Sequence, residues 1–330
     1  VPHLALLLRD LYPPRAPEPG EGAVRLSALE HWLARGDARD VPDGWRGWLA
    51  KAMLGAGLPG GDGGAGLAAA ALLAAAPGRY FWFATPVHFV AGLDTLHLPA
   101  TGLLGLCAPE QRTLAADFVR TFQGAPWRLH AIGFRDLLLE GPDPGQHTTH
   151  DPAAVVGRDL AAAQPRGPGV RPLRQLAAEI EMWLFEHPLN RERERRGELP
   201  LTGLWPWGGG AVQPAMGARD GAPHLYADDA YSAALAATRA QHLHALPAMA
   251  GALPAQSGDT VVVLSGACLR GWPDLQRLEQ QWFAPLLAQL AAGRWSALTL
   301  LHGGHRHTLR SWHRWRGWRR RRAWWEQVGR

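Results

Sequence analysis

From Thr260 to Leu264 the chain reads Thr-Val-Val-Val-Leu, a β-branched, apolar run with no polar alternation. A strand with one wet face alternates polar and apolar residues, so an unbroken run fits a strand buried on both faces. Such a strand needs helices to cover it, and the neighbouring sequence offers them. Residues 228–246 are Ala-rich and helical in character, 275–292 are amphipathic, and 296–301 form another short apolar strand. Residues 4–8 read as a further buried strand. Helices alternating with apolar strands predict an α/β fold, a central mixed sheet flanked by helices on both faces. No internal repeat or clean linker interrupts it. The expected organisation is therefore one α/β domain over 1–309, with a smaller inserted subregion at about 80–150, and a separate segment at 310–330.

Several local signals sharpen this reading. Residues 12–22 are proline-rich and read as a surface connection. Ser27 and Glu30 have capping-box spacing, with Leu26, Leu29 and Leu33 at helical intervals behind them. The Gly-rich stretch 54–66 follows no strand in a phosphate-loop pattern and reads as a mobile loop. Residues 80–90 are strand-like and 110–122 helical, and 171–186 form an amphipathic helix with Leu173, Leu176, Ile180 and Leu184 on one face. The apolar stretch 66–76 is far shorter than the ~20 residues of a membrane span, and residues 1–8 lack the basic start of a signal peptide. Cys107 and Cys268 stand far apart with no CxxC or Cys/His spacing, which suggests neither zinc nor a disulfide framework. These features predict a soluble, cytoplasmic protein with no membrane partner.

The formal net charge is +5, but its distribution matters more than its total. Residues 309–330 hold eight arginines and one glutamate. The total of +5 less this segment's +7 leaves the rest of the chain at about −2. Lys51 is the only lysine, an arginine bias in keeping with a GC-rich genome. In the basic segment Trp312, Trp315, Trp318, Trp324 and Trp325 alternate with arginines. The favoured reading is a final helix whose tryptophans pack on the body while its arginines are solvated. Nucleic acid is a second reading, since arginine pairs with phosphate and indoles stack on bases.

The segment 147–210 is the richest in chemistry. It contains His147-Thr148-Thr149-His150-Asp151, then Pro165-Arg166-Gly167, a helix, and His187-Pro188-Leu189-Asn190. Arg193, Gly197 and Pro200 follow, and then Trp205-Pro206-Trp207-Gly208-Gly209-Gly210. Arg135, Arg166, Arg193 and His150 are the residue types that hold a phosphorylated or carboxylated small molecule, because guanidinium groups grip such oxyanions bidentately. Gly208 and Gly210 would let backbone approach a ligand. A structural alternative stands beside this: His187 and Asn190 cap a helix and order a turn, and Trp205 and Trp207 belong to the core.

This order and spacing resembles the archaeal-type cofactor-independent phosphoglycerate mutases of the alkaline phosphatase superfamily. Their corresponding segment runs from Thr-Pro-Pro-His-Asp through His-Pro-x-Asn-x-x-Arg-x-x-x-Gly-x-x-Pro to Trp-x-Trp-Gly-x-Gly. Residues 133–138 resemble the family's Tyr-Arg-His strand. The resemblance implies an alkaline-phosphatase-like sheet and a ligand site drawn from Arg135, His150, Asp151, Arg166, His187, Asn190, Arg193, Gly208 and Gly210.

The resemblance also marks departures. Active members use a serine nucleophile and two divalent metals, which lower the nucleophile's pKa and neutralise phosphoryl oxygens. Here Asp10 is followed by Leu11, Ser265-Gly266-Ala267-Cys268 replaces an Asp-x-x-x-Gly-His element, and His302-Gly303-Gly304-His305-Arg306-His307 replaces Asp-His-x-Thr-Pro. No nucleophile is recognisable, and Ser27 reads as a helix cap. The expectation is a shortened, divergent bacterial member with a degraded metal site, non-catalytic or regulatory, that needs no cofactor and keeps an oxyanion pocket. An active phosphomutase or phosphatase is the alternative. The three histidines could in principle hold a metal, although no carboxylate accompanies them and a solvated polar loop is the favoured reading.

Overall fold

The computed structural model describes residues 1–9, 25–58, 64–92, 95–157, 160–255, 257–264, 272–302 and 304–328. Asp10 and Ser265 to Cys268 lie outside the described residues. The strands are β1 (His3–Leu8), β2 (Asp37–Asp40), β3 (Tyr80–Val87), β4 (Val90–Ala91), β5 (Leu96–His97), β6 (Arg128–His130), β7 (Leu137–Gly141), β8 (Gly203–Ala211), β9 (His224–Tyr226), β10 (Leu243–His244), β11 (Thr260–Leu264), β12 (Ala297–His302) and β13 (His305–Arg310). The helices are α1 (Ser27–Arg35), α2 (Gly44–Leu54), α3 (Gly64–Leu73), α4 (Ala108–Thr121), α5 (Pro152–Val155), α6 (Leu160–Ala163), α7 (Arg171–Phe185), α8 (Pro188–Arg195), α9 (Ala230–Thr238), α10 (Trp272–Leu278), α11 (Ala284–Ala291) and α12 (Trp324–Val328). The chain divides into two compact units, one of residues 1–57, 218–228 and 241–330, the other of 58–217 and 229–240. The span 80–150 falls inside the second.

The first unit is built on a seven-stranded sheet in the order β10-β9-β11-β1-β12-β13-β2. Strand β1 lies between β11 and β12, parallel to both, while β13 and β2 join antiparallel and make the sheet mixed. Leu4 to Leu8 and Thr260 to Leu264 are buried without a gap, the environment an unalternating apolar run requires. One face of these strands packs on Leu29, Trp32 and Leu33 of α1 and on Phe283, Leu286 and Leu290. The strands expected at 260–264 and 296–301 are both core strands, the second displaced by one residue.

Helix α1 starts where Ser27 and Glu30 suggest, but its cap differs. Ser27 is the first helical residue and makes no cap of its own. The Glu279 carboxylate, 251 residues away, accepts from the Ala28 and Leu29 amides at 2.5 and 3.1 Å. Glu30 instead pairs with Arg25. An anion at a helix N-terminus satisfies orphan N–H groups and the helix dipole together, so a distant glutamate does what the local serine was expected to do. Glu279 opens a π-helical turn, Glu279–Phe283, that joins α10 to α11.

Two other expectations are revised. The helix anticipated over 228–246 is α9 alone. Beyond it Ala240 adopts φ 51°, which an L-residue rarely takes, and the chain then enters β10. The Gly-rich stretch ends as helix: Gly66 of α3 sits so near β8 that an added Cβ would lie 2.1 Å from the Ala211 carbonyl oxygen.

The second unit carries an antiparallel sheet in the order β6-β7-β3-β8. All eight residues of β3 are buried. Helix α3 packs on β8 and α9, α7 on β8, and α4 on β6. The core joins Trp82 and Ala84 of β3 to Leu114 and Phe118 of α4 and to Leu176, Ile180 and Leu184 of α7.

The basic segment is not one packed helix. A 3-10 turn, Ser311–Trp315, leads through irregular chain to α12. Trp324 is fully buried in the core around α1, whereas Trp312, Trp315 and Trp318 are 53%, 71% and 74% exposed. Packing is thus met by Trp324 and contradicted for the other three. Trp324→Ala should lower stability by about 3–5 kcal/mol, while Trp318→Ala should stay within about 0.5 kcal/mol of wild type. Equal losses in chemical denaturation would show the assignment of buried and exposed indoles to be wrong.

Candidate functional site

The glycine run at the end of β8 shapes a cleft in the second unit. Phe83 pairs with Trp207 and Phe81 with Gly210, so Trp82 faces two residues, Gly208 and Gly209. This bulge is sterically tight. A Cβ on Gly209 would lie 2.5 Å from Trp82 Nε1 and 2.9 Å from His147 Nε2, and Gly208 has φ 61°. Only glycine meets both demands without displacement. Beside the bulge opens a cleft of about 750 Å³ lined by Tyr80, Asp143, Gly145, His147, Arg166, Gly167, Gly209 and Gly210, among others.

The polar groups of the cleft are held by local bonds. His147 Nδ1 lies 2.8 Å from the Gly145 carbonyl oxygen. A carbonyl can only accept, so the Nδ1 proton is fixed and, in the neutral ring, Nε2 accepts from the Tyr80 hydroxyl at 3.3 Å. Burial, reinforced by the Asp143 charge, pushes the Tyr80 phenol well above its usual range, so it stays protonated. Asp143 Oδ1 accepts from the Gly145 amide at 2.8 Å and closes the turn. Arg166 is fixed by a two-bond bridge between its backbone and that of Thr148. Its guanidinium is exposed, with no carboxylate partner among the described residues.

The residues anticipated from sequence do not gather in one place. Arg166 and Gly210 line the cleft. Gly208 adjoins it through the bulge, its amide donating to Thr149 Oγ1 at 3.1 Å. His150 gives its carbonyl to Trp205 Nε1 at 2.7 Å, and Asp151 caps α5 by accepting from the Ala153 amide at 3.0 Å. Arg135 lies just before β7, with Nε 3.8 Å from Asp136 Oδ1. Asp136 in turn accepts from Thr85, and Thr85 from Trp207 Nε1.

His187, Asn190 and Arg193 are committed to the corner of α7, α8 and β8. His187 Nδ1 accepts from the Leu189 amide at 3.2 Å, and Nε2 lies 3.2 Å from Asp117. Burial depresses the His187 pKa against the pull of that carboxylate. Asn190 donates to the Leu184 and Leu201 carbonyls and accepts from the Leu201 amide. Arg193 is buried against Glu110 at 3.1 Å and donates to the Leu199 carbonyl at 2.9 Å. Tyr80, Asp143 and Gly145 escaped the sequence reading, because their nearness to Arg166 arises from strand pairing and a turn rather than from a motif.

The histidines at the β12–β13 hairpin are poorly placed to share a metal ion. His302 and His307 stack with centroids 5.1 Å apart and planes 12° from parallel. Imidazole lone pairs lie in the ring plane, so parallel rings direct them along parallel lines and not toward one ion. The described residues contain no group of three His, Cys, Asp or Glu side chains placed to share an ion. Among the described residues, then, the donors do not form a two-metal centre.

No family model matches the chain. A probable 2,3-bisphosphoglycerate-independent phosphoglycerate mutase of Geobacter sulfurreducens is 28% identical over 79 residues, 24% of this chain and 20% of the relative. The match thus spans about one fifth of that relative's length. Among solved structures, a cofactor-independent phosphoglycerate mutase from Thermoplasma acidophilum aligns at TM-score 0.35 and 16% identity, covering 92% of this chain and 88% of its own. The PH0037 protein from Pyrococcus horikoshii aligns at TM-score 0.43 and 10% identity, covering 93% and 86%. The chain is mixed α/β, and a 79-residue part of it is similar in sequence to a phosphoglycerate mutase. No helix among the described residues is long and apolar enough to cross a membrane.

The hairpin histidines carry a pH dependence. Burial, with minor repulsion from neighbouring imidazoles, lowers the His302 pKa to about 3 and the His307 pKa to about 4. Both values are depressed, so the stability held by the neutral rings is complete above the unfolded value near 6.5 and is lost as pH falls toward 4 and below. Between pH 7 and 5 one such ring accounts for about 2 kcal/mol. Replacing His302 by leucine should reduce the acid loss by that amount in denaturation curves at the two pH values. An unchanged loss would mean that His302 protonates freely in the folded protein.

Proposed function

We propose that this protein is a non-catalytic or regulatory relative of the phosphoglycerate mutases that binds a phosphorylated or carboxylated small molecule in the cleft at Arg166. The observation that carries the reading is Arg166, exposed and lining the same glycine-walled cleft as a protonated tyrosine. Guanidinium and phenol can each donate to an oxyanion, and the absence of side chains on Gly209 and Gly210 lets a ligand approach the backbone. Asp143 in the same wall favours a ligand that also presents a hydroxyl donor, as a phosphorylated hydroxy acid does. The non-catalytic part rests on sequence: Asp10 survives, followed by Leu11, but Ser265-Gly266-Ala267-Cys268 and the segment from His302 to His307 replace the family's two other metal-ligand elements.

The test pairs binding with turnover. Titration with 3-phosphoglycerate should raise the melting temperature in a concentration-dependent way, and Arg166→Ala should weaken binding about tenfold or more, the scale of one charged hydrogen bond. Binding unaffected by Arg166→Ala would remove the cleft from the reading. With manganese added, interconversion of 2- and 3-phosphoglycerate should stay at background. Robust turnover that disappears in Asp10→Asn would replace the proposal by an active phosphomutase.

A further inference from the structure

After β13 the side chains change role with a period of three. His313, Arg316 and Arg319 form an inward register. His313 is fully buried, its Nε2 3.5 Å from Asp37 Oδ2. Arg316 donates to Asp37 Oδ1 at 2.5 Å and to the Arg35 carbonyl at 3.1 Å, and Arg319 donates to the Gly36 carbonyl at 3.0 Å. All three address the junction between α1 and β2. One position earlier in each triplet stands a tryptophan, Trp312, Trp315 or Trp318, and each is more than half exposed. In Ser311–Trp315 a period of three is that of the 3-10 helix, in which residues i and i+3 eclipse, and past it the bonds of Arg316 and Arg319 keep the same spacing. Anchoring one register to Asp37 and the end of α1 therefore holds the indole register out in water.

The surroundings of these indoles are cationic. The Arg314 guanidinium lies 5.0 Å from the Trp315 ring centre and that of Arg316 4.8 Å from the Trp312 ring centre. Arg320 and Arg322 are exposed, with no carboxylate partner among the described residues. Glu326 is the only acidic residue of 309–330.

We propose that this face binds single-stranded nucleic acid, the indoles stacking on bases and the arginines pairing with phosphates. Exposed bases offer π-faces regardless of sequence, and cationic grooves with aromatic platforms are the general means of holding them. In a duplex the bases are already stacked on one another, so indoles gain nothing there. A bilayer fits less well. Interfacial helices bury a continuous apolar face, and between Ser311 and Trp324 there is no Leu, Ile, Val or Phe. The proposal requires nothing of the cleft at Arg166.

The experiment uses the full chain and fluorescence anisotropy of a labelled oligo(dT) of about 16 nucleotides, the upper end of a single-strand site. Three companions are compared: Trp315→Ala/Trp318→Ala, Arg320→Ala/Arg322→Ala, and a self-complementary duplex of equal length. The oligo(dT) should bind, and the double tryptophan change should weaken it about tenfold or more. The double arginine change should flatten the slope of log affinity against log salt by about 1.4, two phosphates at ~0.7 each. Should the tryptophan variant melt below wild type, the salt slope of the arginine variant decides, since those side chains are exposed and have no carboxylate partner among the described residues. The proposal fails if oligo(dT) binds no better than it does to the tryptophan variant, or if the duplex binds as tightly and indifferently to that change. It also fails if the full chain ignores oligo(dT) yet sediments with phosphatidylcholine/phosphatidylglycerol vesicles.

Discussion

The cleft depends on a single irregularity in an otherwise closed ladder. Strand β3 is buried along its whole length, so its backbone polar groups must be met, by β8 on one side and on the other by β7 as far as Ala84 and by the Leu103–Leu104 segment beyond. Opposite Trp82 that rule is relaxed, because β8 presents two glycines where one residue would complete the register. Bulges of this kind end pairing locally and redirect the strand. A side chain at Gly209 would collide with Trp82 and His147, so the glycine is what allows His147, the Gly145 turn and the Arg166 bridge to close around one space. The Trp82 indole nitrogen is fully buried and lacks a partner among the described residues, a polar cost that fits a site more readily than a core.

The arginines sort into two physical classes. Arg193 and Arg196 share Glu110, and burial of Glu110 is more than offset by its Cys107 amide bond and by these guanidinium groups, so that its pKa falls. Arg316 does the same for Asp37. Each of these pairs fixes one element against another, since truncating one partner would strand a charge in a poorly solvated place. Arg166, Arg320 and Arg322 have no such carboxylate among the described residues. Arginine that is neither paired nor buried stabilises the fold little, which makes it the better candidate for contact with something outside the chain.

How much of this was legible in the sequence depends on the range of the interaction. The strand at Thr260–Leu264 and the helix Arg171–Phe185 were readable because periodicity and burial are properties of a few adjacent residues. The α1 cap was misassigned because its carboxylate comes from Glu279, and no local pattern reports a bond across 251 residues. The end of α9 was missed because Ala240 takes a left-handed conformation without the glycine that normally signals one. Within the 147–210 segment, the same residue types divide between the cleft and internal structural roles. Arg166 reaches the cleft while Arg193 is consumed by Glu110, and spacing alone cannot separate them, since the difference lies in which helix the other partner occupies.

The hairpin histidines show how a sheet end can be kept while its chemistry changes. His302 pairs with Leu8 at the C-terminal end of β1, where the resemblance would place metal-binding groups. Carboxylates crowded there would repel one another without a cation to bridge them, so a sheet end rich in aspartate needs its metal to be stable. Imidazoles have no such requirement. Neutral at pH 7, they can be buried and stacked as His302 and His307 are, at a cost that grows only in acid. A sheet end that carries histidine in place of acidic groups therefore needs no bridging ion to be stable at neutral pH. The exposed arginines, Arg166, Arg320 and Arg322, contrast with these imidazoles, because their positive charge is permanent and requires neither acid nor a bound metal.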